Sequence, residues 1–230
     1  MSGWRRRARA AALLAGGVLV AAVLAQAGSL RGPAPRAVAR RASPPPLPPS
    51  ALLRDGDLVF RRGTDAVADA VALGSGGARF SHVGLLVLWQ GAPWVVHAAP
   101  AEGAGPGGVA LQPLAVFAAP GAASDAAVYR LRLSPAQRRQ IRAYALARRG
   151  VPFDGGLRYS SDDALYCTEL VLKALAAAGV DLPPRLPALD VPGVGEPVYA
   201  PDALRQLPGL REVRPRLAPR LQAAAVERSE

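Results

Sequence analysis

The sequence predicts an α+β domain in which an antiparallel sheet packs against a helix that carries Cys167, the only cysteine of the 230 residues. Residues 80–89 and 93–99 are nearly continuous apolar, often β-branched runs separated by a turn at 90–92, which predicts an antiparallel hairpin. From Cys167 to Ala178, apolar side chains recur at the i, i+3, i+4 spacing of a helix with one buried face. The cysteine therefore faces the core at the start of that helix.

Before the hairpin, the sequence predicts a short strand and a short helix. The turn Asp55-Gly56-Asp57 leads into a strand at 58–60, and residues 65–73 have the apolar spacing of a short helix. The glycine-rich residues 74–77 then end that helix.

After the hairpin, the sequence predicts two more strands and a second helix. The strands are expected at 109–112 and 126–133. The sequence Ser134-Pro135-Ala136-Gln137 combines an N-cap serine, a proline at the first helical position and a glutamine three residues after the cap. This helix is expected to run to about residue 149, because Gly150 follows it.

The N-terminal residues have the pattern of a secretory signal peptide. A basic segment at 4–9 is followed by an apolar or glycine run from 10 to 25 and by the small-x-small sequence Ala25-Gln26-Ala27. We therefore expect residues 1–27 to be a signal peptide and the protein to be exported to the periplasm or outside the cell. An uncleaved N-terminal membrane anchor is the alternative.

Behind the signal segment, one folded domain is expected. Residues 28–50 are rich in proline and arginine, which predicts an extended tether. Residues 51–215 are long enough to form one domain of ordinary size with a real core, and residues 216–230 are expected to form a C-terminal tail.

The positive charge of the chain does not indicate nucleic-acid binding. The formal net charge is +11, but eight of the 28 basic residues and none of the 17 acidic residues precede Ala51, which leaves +3 for the rest. We therefore predict no nucleic-acid partner. The basic N-terminal segment could contact anionic lipid, although most charge runs of this kind are simply solvated.

Cys167 and the only two histidines, His82 and His97, are the candidate catalytic residues. In isolation, each fits an ordinary core residue. At a helix start, however, backbone N–H groups and the helix dipole lower the pKa of a thiol. The hairpin should bring His82, near the beginning of one strand, beside His97, near the end of the next. One imidazole could then take the cysteine's proton while the other orients it.

Other readings of the polar residues are weaker. Two histidines and a cysteine could bind zinc, but the chain has neither an HExxH motif nor paired cysteines, so we predict no metal and no other cofactor. Asp162 or Asp163 is expected to cap the cysteine helix. Glu169 is expected to point away from the sulfur or support the helix start, and Tyr166 could help to stabilise an oxyanion.

Six motifs follow one another along the domain in a fixed order. They are GDLVF at 56–60, SHVGLLV at 81–87, PWVVHA at 93–98, GVPFD at 150–154, SDDALYCTELV at 161–171 and YAPDAL at 199–204. This set resembles the YiiX-like, circularly permuted papain-like cysteine hydrolases, relatives of the NlpC-type cell-wall peptidases and of lecithin retinol acyltransferase. The resemblance covers residues 53–210 and implies an NlpC-like fold with the histidine strands before the cysteine helix.

The resemblance also implies roles for the three residues. By it, Cys167 is the nucleophile, His82 the general base and His97 the third, polar residue. The YiiX-like proteins usually have glutamate at the third position, whereas the acyltransferase relatives have histidine. A neutral histidine can orient His82, but it supports an imidazolium less than a carboxylate does.

The function expected on this basis is that of an exported cysteine hydrolase. It would cleave an amide or ester bond, in a cell-wall peptide or in an acylated amine or lipid, through a thioester on Cys167. Two alternatives stay open. One is a catalytically idle papain-like domain that binds a peptide or lipid, and the other is an acyl transferase with an acceptor other than water.

Overall fold

The structure, a computed structural model, describes residues 46–64, 68, 69, 71, 74–101, 107–189, 191 and 193–214. The predicted signal segment, the tether up to residue 45 and the tail at 216–230 lie outside the described residues, as does most of the predicted helix at 65–73. Within the described part, no helix is long and apolar enough to cross a membrane.

Six strands and three helices position the site. The strands are β1 (Leu58–Gly63), β2 (His82–Trp89), β3 (Ala92–Ala99), β4 (Gly108–Pro113), β5 (Ala123–Arg130) and β6 (Arg211–Glu212). The helices are α1 (Leu114–Phe117), α2 (Pro135–Ala147) and α3 (Cys167–Ala177), with 3-10 turns at Ser50–Leu52 and Pro201–Gln206. The strands form one antiparallel sheet in the order β4-β3-β2-β1-β5-β6. The predicted α+β class is confirmed.

The predicted hairpin is β2 and β3. Trp89 pairs with Ala92, so the loop between them has two residues, Gln90 and Gly91. Both have positive φ, 51° and 78°. Such a turn matches the right-handed twist of the flanking strands, which is why two-residue hairpins favour it.

Both faces of the sheet are buried, which explains the nearly continuous apolar sequences of its central strands. One face packs under α3 and the other under α1. The α3 face includes Leu58, Phe60, Val83, Leu85, Val87, Val96 and Ala98. The α1 face includes Val59, Leu86, Val95 and Val128, which pack with Leu114 and Phe117 of α1.

Helix α3 buries the face that its sequence predicts. Leu170, Val171, Ala174 and Leu175 have no exposed surface, and all of them belong to the core on that side of the sheet. Deleting one of the larger of these side chains would leave a cavity costing roughly 2–5 kcal/mol. This core holds the start of α3 in place.

The N-cap of α3 was predicted wrongly. The cap is Tyr166 rather than Asp162 or Asp163, and the Tyr166 N–H donates to Glu169 Oε2 at 3.1 Å. Asp162 instead accepts a bond from Lys173 at 2.6 Å. The lysine, on the second turn of the helix, holds the acidic loop outside the helix start.

The second helix and its neighbouring strand lie close to their predicted places. Ser134 and Gln137 form the predicted capping box, and α2 ends at Ala147, two residues early. Strand β5 is three residues earlier in the chain than predicted. Ala123, in the predicted loop, is fully buried and pairs with Gly63, and after Arg130 the chain leaves the sheet to reach the cap of α2.

A buried ion pair joins the start of β1 to the end of β5. Asp57 is fully buried, and its two oxygens accept bonds from Arg130 Nε at 2.7 Å and Nη2 at 2.6 Å. The N–H of Arg54 donates to the same carboxylate at 2.9 Å. Such a bidentate contact is geometrically specific, and removing one partner leaves a poorly solvated charge behind.

Replacing Asp57 with alanine is therefore expected to lower the free energy of unfolding by about 3–5 kcal/mol. Glu212→Ala is the matched control, because its partner Arg214 is 75% exposed, and it should cost less than about 1 kcal/mol. Chemical denaturation of the full chain measures both. Equal losses in the two variants would show that the buried pair does not hold the sheet together.

Candidate active site

Cys167 is the first residue of α3 and is half-buried. Its sulfur lies 3.6 Å from Thr168 Oγ1, and the backbone N–H groups of Val83, Thr168 and Cys167 itself interact with it. The N–H of Val83 is available because the pairing of β2 with β3 begins only at Leu85. The start of α3 is thus set against the start of β2, one residue along from His82.

The helix start does not make Cys167 a resting thiolate. Burial raises the pKa of its thiol, and the Thr168 hydroxyl and the nearby backbone N–H groups only partly oppose this effect. The lowered pKa expected from the sequence rested on activation by His82 and on the contribution of the helix N-terminus. Desolvation of the thiolate outweighs that contribution.

The structure brings the two histidines together. His82 Nε2 and His97 Nδ1 are 2.9 Å apart, and the two rings are nearly perpendicular, at 88°. His97 is buried, whereas His82 is partly exposed at the first position of β2. Nε2 is engaged by His97, so Nδ1 is the uncommitted nitrogen of His82. Among the described residues no hydrogen bond joins either imidazole to the Cys167 sulfur, whose partners are Thr168 and backbone N–H groups.

Gly84 makes the contact between the histidines sterically feasible. Continuing the register Leu85↔Val96 places Gly84 opposite His97, so His97 meets no side chain there and can reach diagonally to His82. A Cβ at position 84 would lie 2.5 Å from Val95 Cγ1 and 3.0 Å from His97 Cβ. The glycine of the SHVG sequence is therefore needed for the close approach of β3.

An aromatic ring and a guanidinium cover the histidine pair. The Phe117 ring centroid lies 5.6 Å from that of His82 and 5.1 Å from that of His97. Arg61, which pairs with His82 across β1 and β2, stacks 4.6 Å above Phe117 and donates to its carbonyl at 3.1 Å. Phe117 thus covers the pair on one side, and Arg61 brings a positive charge close to it.

Both histidines are neutral at pH 7. Burial lowers the pKa of His97 to about 4, and Arg61 adds to the effect. Burial also lowers the pKa of His82 well below its usual value, with further contributions from His97 and Arg61. The pair can therefore accept and pass a proton, but it carries no resting charge.

Gln112 in β4 extends the polar row from His82 and His97 to a third strand. Its side chain favours the protonated form of His97 by hydrogen bonding. Within the described residues, however, His97 Nε2 and Gln112 Oε1 are both buried and lack a partner of full hydrogen-bond geometry. Sequence reasoning missed Gln112, Phe117, Arg61 and Gly84, although the glycine after His-Val was a visible signal.

Glu169 and Tyr166 take structural positions. Glu169 is fully buried, its Oε1 lies 2.9 Å from Lys173 Nζ, and burial raises its pKa to about 7. Since the Tyr166 N–H donates to Glu169, it is not free for an oxyanion. The Tyr166 hydroxyl is buried and has no hydrogen-bond partner among the described residues. The backbone N–H groups of Val83, Thr168 and Cys167 are the backbone donors beside the sulfur.

The fold and the site define a papain-like domain in permuted order, with the histidine strands ahead of the cysteine helix. The chain belongs to the family of permuted papain-like amidases described as YaeF/YiiX, C92, whose model matches residues 52–187. The domain is similar to the crystal structure of the metalloprotein YiiX from Escherichia coli O157:H7, with a TM-score of 0.58 and 23% identity over 72% of this chain and 98% of that chain. No curated protein matches the chain.

The YiiX structure is described as that of a metalloprotein, which raises the question whether the described residues of this chain could form a metal site. Among the residues that the structure describes, no group of three or more His, Cys, Asp or Glu side chains could hold a metal ion. The donor set at the site is two neutral imidazoles, each with one nitrogen committed to the other, and the Cys167 thiol, whose pKa is raised.

Protonation of His97 is expected to destabilise the fold in acid. Its pKa is about 4 when folded and about 6.5 when unfolded, so the unfolded state binds more protons between these values and stability falls as the pH falls through that window. Between pH 7 and 4 the wild type should lose about 3 kcal/mol more than His97→Gln.

The comparison of the two proteins isolates the histidine, because Glu169, with its raised pKa, acts in the opposite direction between about pH 7 and 4.5. Urea denaturation of both proteins over this pH range supplies the measurement. Parallel pH dependences in wild type and variant would contradict the burial of a neutral His97.

Proposed function

We propose that this amidase-family protein is a cysteine hydrolase in which Cys167 attacks an amide or ester carbonyl, His82 acts as the general base, and His97 positions His82. The hydrogen bond between His82 Nε2 and His97 Nδ1, beside the helix start that carries the sulfur, is the observation that carries this proposal. It leaves His82 with one uncommitted nitrogen at the end of the sheet where α3 begins.

The direction of the hydrogen bonds supports the role of His82 as base. If Gln112 Oε1 accepts a hydrogen bond from the His97 Nε2–H group, His97 must offer a lone pair at Nδ1. His82 must then carry its proton at Nε2, which leaves a lone pair at Nδ1. The three side chains thus select the tautomer that can accept a proton from Cys167.

The first half of the reaction forms a thioester. As the sulfur bonds to the carbonyl carbon, the thiol proton moves to His82 Nδ1 and the carbonyl electron pair moves to oxygen, where the Cys167 N–H can donate to it. When the tetrahedral intermediate collapses, the bond to the leaving amine or alcohol breaks. His82 returns the proton to that group.

In the second half of the reaction water hydrolyses the thioester, and the Cys167 sulfur, the nucleophile of the first half, becomes the leaving group. His82 removes a proton from water as the water oxygen attacks the acyl carbon, and the sulfur leaves and regains a proton. Both steps require Cys167 Sγ and His82 Nδ1 to come within about 4 Å during the reaction.

The histidine at the third position makes this site a neutral pair rather than an ion pair. A carboxylate would stabilise the imidazolium of His82, whereas neutral His97 and nearby Arg61 do not. The thiol and imidazole are therefore uncharged at rest, and the proton moves together with the attack. Because the pKa of His82 is lowered, we expect the activity to fall on acidification only well below pH 6.5.

The substrate class and the location follow from the sequence pattern rather than from the site. An exported amidase would meet cell-wall peptides and acylated amines or lipids, and an uncleaved N-terminal segment would keep it at the membrane. The raised pKa of Cys167 is the one observation that favours a catalytically idle binding domain. Transfer of the acyl group to an amine instead of water is a third possibility, and product analysis with an added amine distinguishes it from hydrolysis.

Cys167→Ser is expected to abolish turnover of a p-nitrophenyl acyl ester, and His82→Ala to lower kcat by roughly 10²–10⁴-fold. His97→Glu should preserve activity and move the acid limb to higher pH, because a carboxylate raises the pKa of His82. Product analysis with an added amine distinguishes hydrolysis from acyl transfer.

A covalent acyl probe provides the second readout on these variants. It should label wild type and not Cys167→Ser, with alkylation slow at mildly acidic pH because the thiol is protonated. Labelling that is indifferent to His82→Ala would identify Cys167 as a core residue and the protein as a binding domain.

Gln112→Leu is expected to lower kcat about tenfold with little change in KM, since the wrong His82 tautomer would then compete. Gln112→Glu should retain activity, because its carboxylate can accept the same hydrogen bond from His97 Nε2–H. Gln140→Leu, at an exposed position of α2, is the matched control. A loss of stability without a change in the kcat of the folded fraction would assign Gln112 to packing alone.

A further inference from the structure

A groove of about 1070 Å³ opens at the end of the sheet opposite the histidine pair. It adjoins the start of β1 and the end of β5, whereas His82 lies across from Arg61 near the other end of β1. Its charged lining consists of one glutamate, Glu212, and six arginines. The arginines are Arg54, Arg130, Arg132, Arg138, Arg211 and Arg214.

Half of these arginines are held by other protein groups. Arg130 binds the buried carboxylate of Asp57, and Arg214 donates to Glu212 at 2.7 Å. Arg138 donates to the carbonyl of Asp55 at 2.9 Å. These contacts fix part of the groove without a bound ligand.

The other three arginines give the groove an excess of positive charge. Arg54, Arg132 and Arg211 are exposed and make no ion pair within the described part of the chain. The neighbouring positive charges affect Arg138. Burial lowers the pKa of its guanidinium, Arg130 and Arg54 lower it further, and Asp57 raises it. A negatively charged ligand would relieve this repulsion.

The rest of the lining is apolar, which distinguishes the groove from a site for a small, fully hydrated anion. Pro49, Leu52, Leu131 and Val213 contribute to it. Leu52 is 39% exposed and is one of only two large apolar side chains in the described residues that are exposed to this degree. Guanidinium groups beside apolar surface match a ligand with a phosphate head and a hydrocarbon body.

The polypeptide enters the domain at this groove. Pro49 and Ala51, on its rim, follow a segment whose sequence contains a basic cluster at 4–9 and an apolar run at 10–25. Whatever surface that segment contacts, the groove lies on the same side of the domain as the point of attachment. Two basic contacts joined by a tether reinforce each other at one surface.

We propose that this groove docks the domain on a membrane surface that contains anionic phospholipid. Arg54, Arg132 and Arg211 face the lipid phosphates, and Leu52 reaches the boundary between headgroups and acyl chains. The active site, at the other end of the sheet, then points away from the bilayer. This inference does not depend on the catalytic proposal.

Vesicle binding of the full chain tests the charge requirement. Binding is compared on phosphatidylcholine and on an equimolar mixture with phosphatidylglycerol. Arg132→Gln/Arg211→Gln should weaken binding to the mixed vesicles by at least roughly tenfold, because each basic side chain at an anionic surface contributes about fivefold. Arg139→Gln/Arg185→Gln, which removes the same charge at exposed positions outside the groove, should change binding less than about twofold.

Thiol labelling tests the contact itself, even where the N-terminal segment anchors every variant. In a Cys167→Ser background, Leu52→Cys should react several-fold more slowly with a membrane-impermeant maleimide on mixed vesicles than in solution. Val116→Cys, at the other exposed apolar position, should react at the same rate in both.

Three results would overturn the proposal. Equal losses in the two double variants would mean that only net charge matters. Equal labelling of the two cysteines would mean that the groove does not face the lipid. Saturable binding of inorganic phosphate that requires Arg132 and Arg211, with no protection at position 52, would make the groove a site for a soluble anion.

Discussion

The hydrogen bond between His82 and His97 is the interaction on which the candidate site depends. It forms diagonally across two strands, because Gly84 leaves open the position opposite His97. Without this bond the His82 ring could rotate about its side-chain bonds, and neither nitrogen would be held for the sulfur of Cys167. Because Gly84 has no Cβ, strands β2 and β3 can approach closely, and this approach lets His97 orient the imidazole of His82.

The burial that fixes the histidines also determines how the site can work. It removes their charge at neutral pH and raises the pKa of the Cys167 thiol. An ion pair of thiolate and imidazolium would need a counter-charge, and the nearest charged group, Arg61, has the wrong sign. In the proposed mechanism the site therefore depends on the direction of the hydrogen bond between His82 and His97 rather than on a resting nucleophilic anion. In sites with a carboxylate, that charge stabilises the imidazolium of the base. Here the proposed contribution of His97 is to select the His82 tautomer that can accept a proton.

The hairpin, the buried face of α3 and the capping box of α2 were predictable from sequence, because each depends on local periodicity or on a few adjacent residues. The roles of Phe117 and Gln112 were not, since the register of strands distant in sequence brings them to His97. The cap of α3 was misjudged for a similar reason: Lys173, a tertiary partner, holds Asp162 away from the helix start. The pKa of Cys167 was misjudged because sequence shows a helix start but not the depth of burial around it.

The most direct measurement of this account is the protonation state of the two imidazoles, which are the only histidines in the chain. Long-range ¹H–¹⁵N NMR of the full protein at pH 7 distinguishes the two ring nitrogens of each. The account predicts that His82 and His97 are both neutral, each with its proton on Nε2 and a bare Nδ1. An imidazolium at either residue, or a proton on Nδ1 of His82, would contradict it.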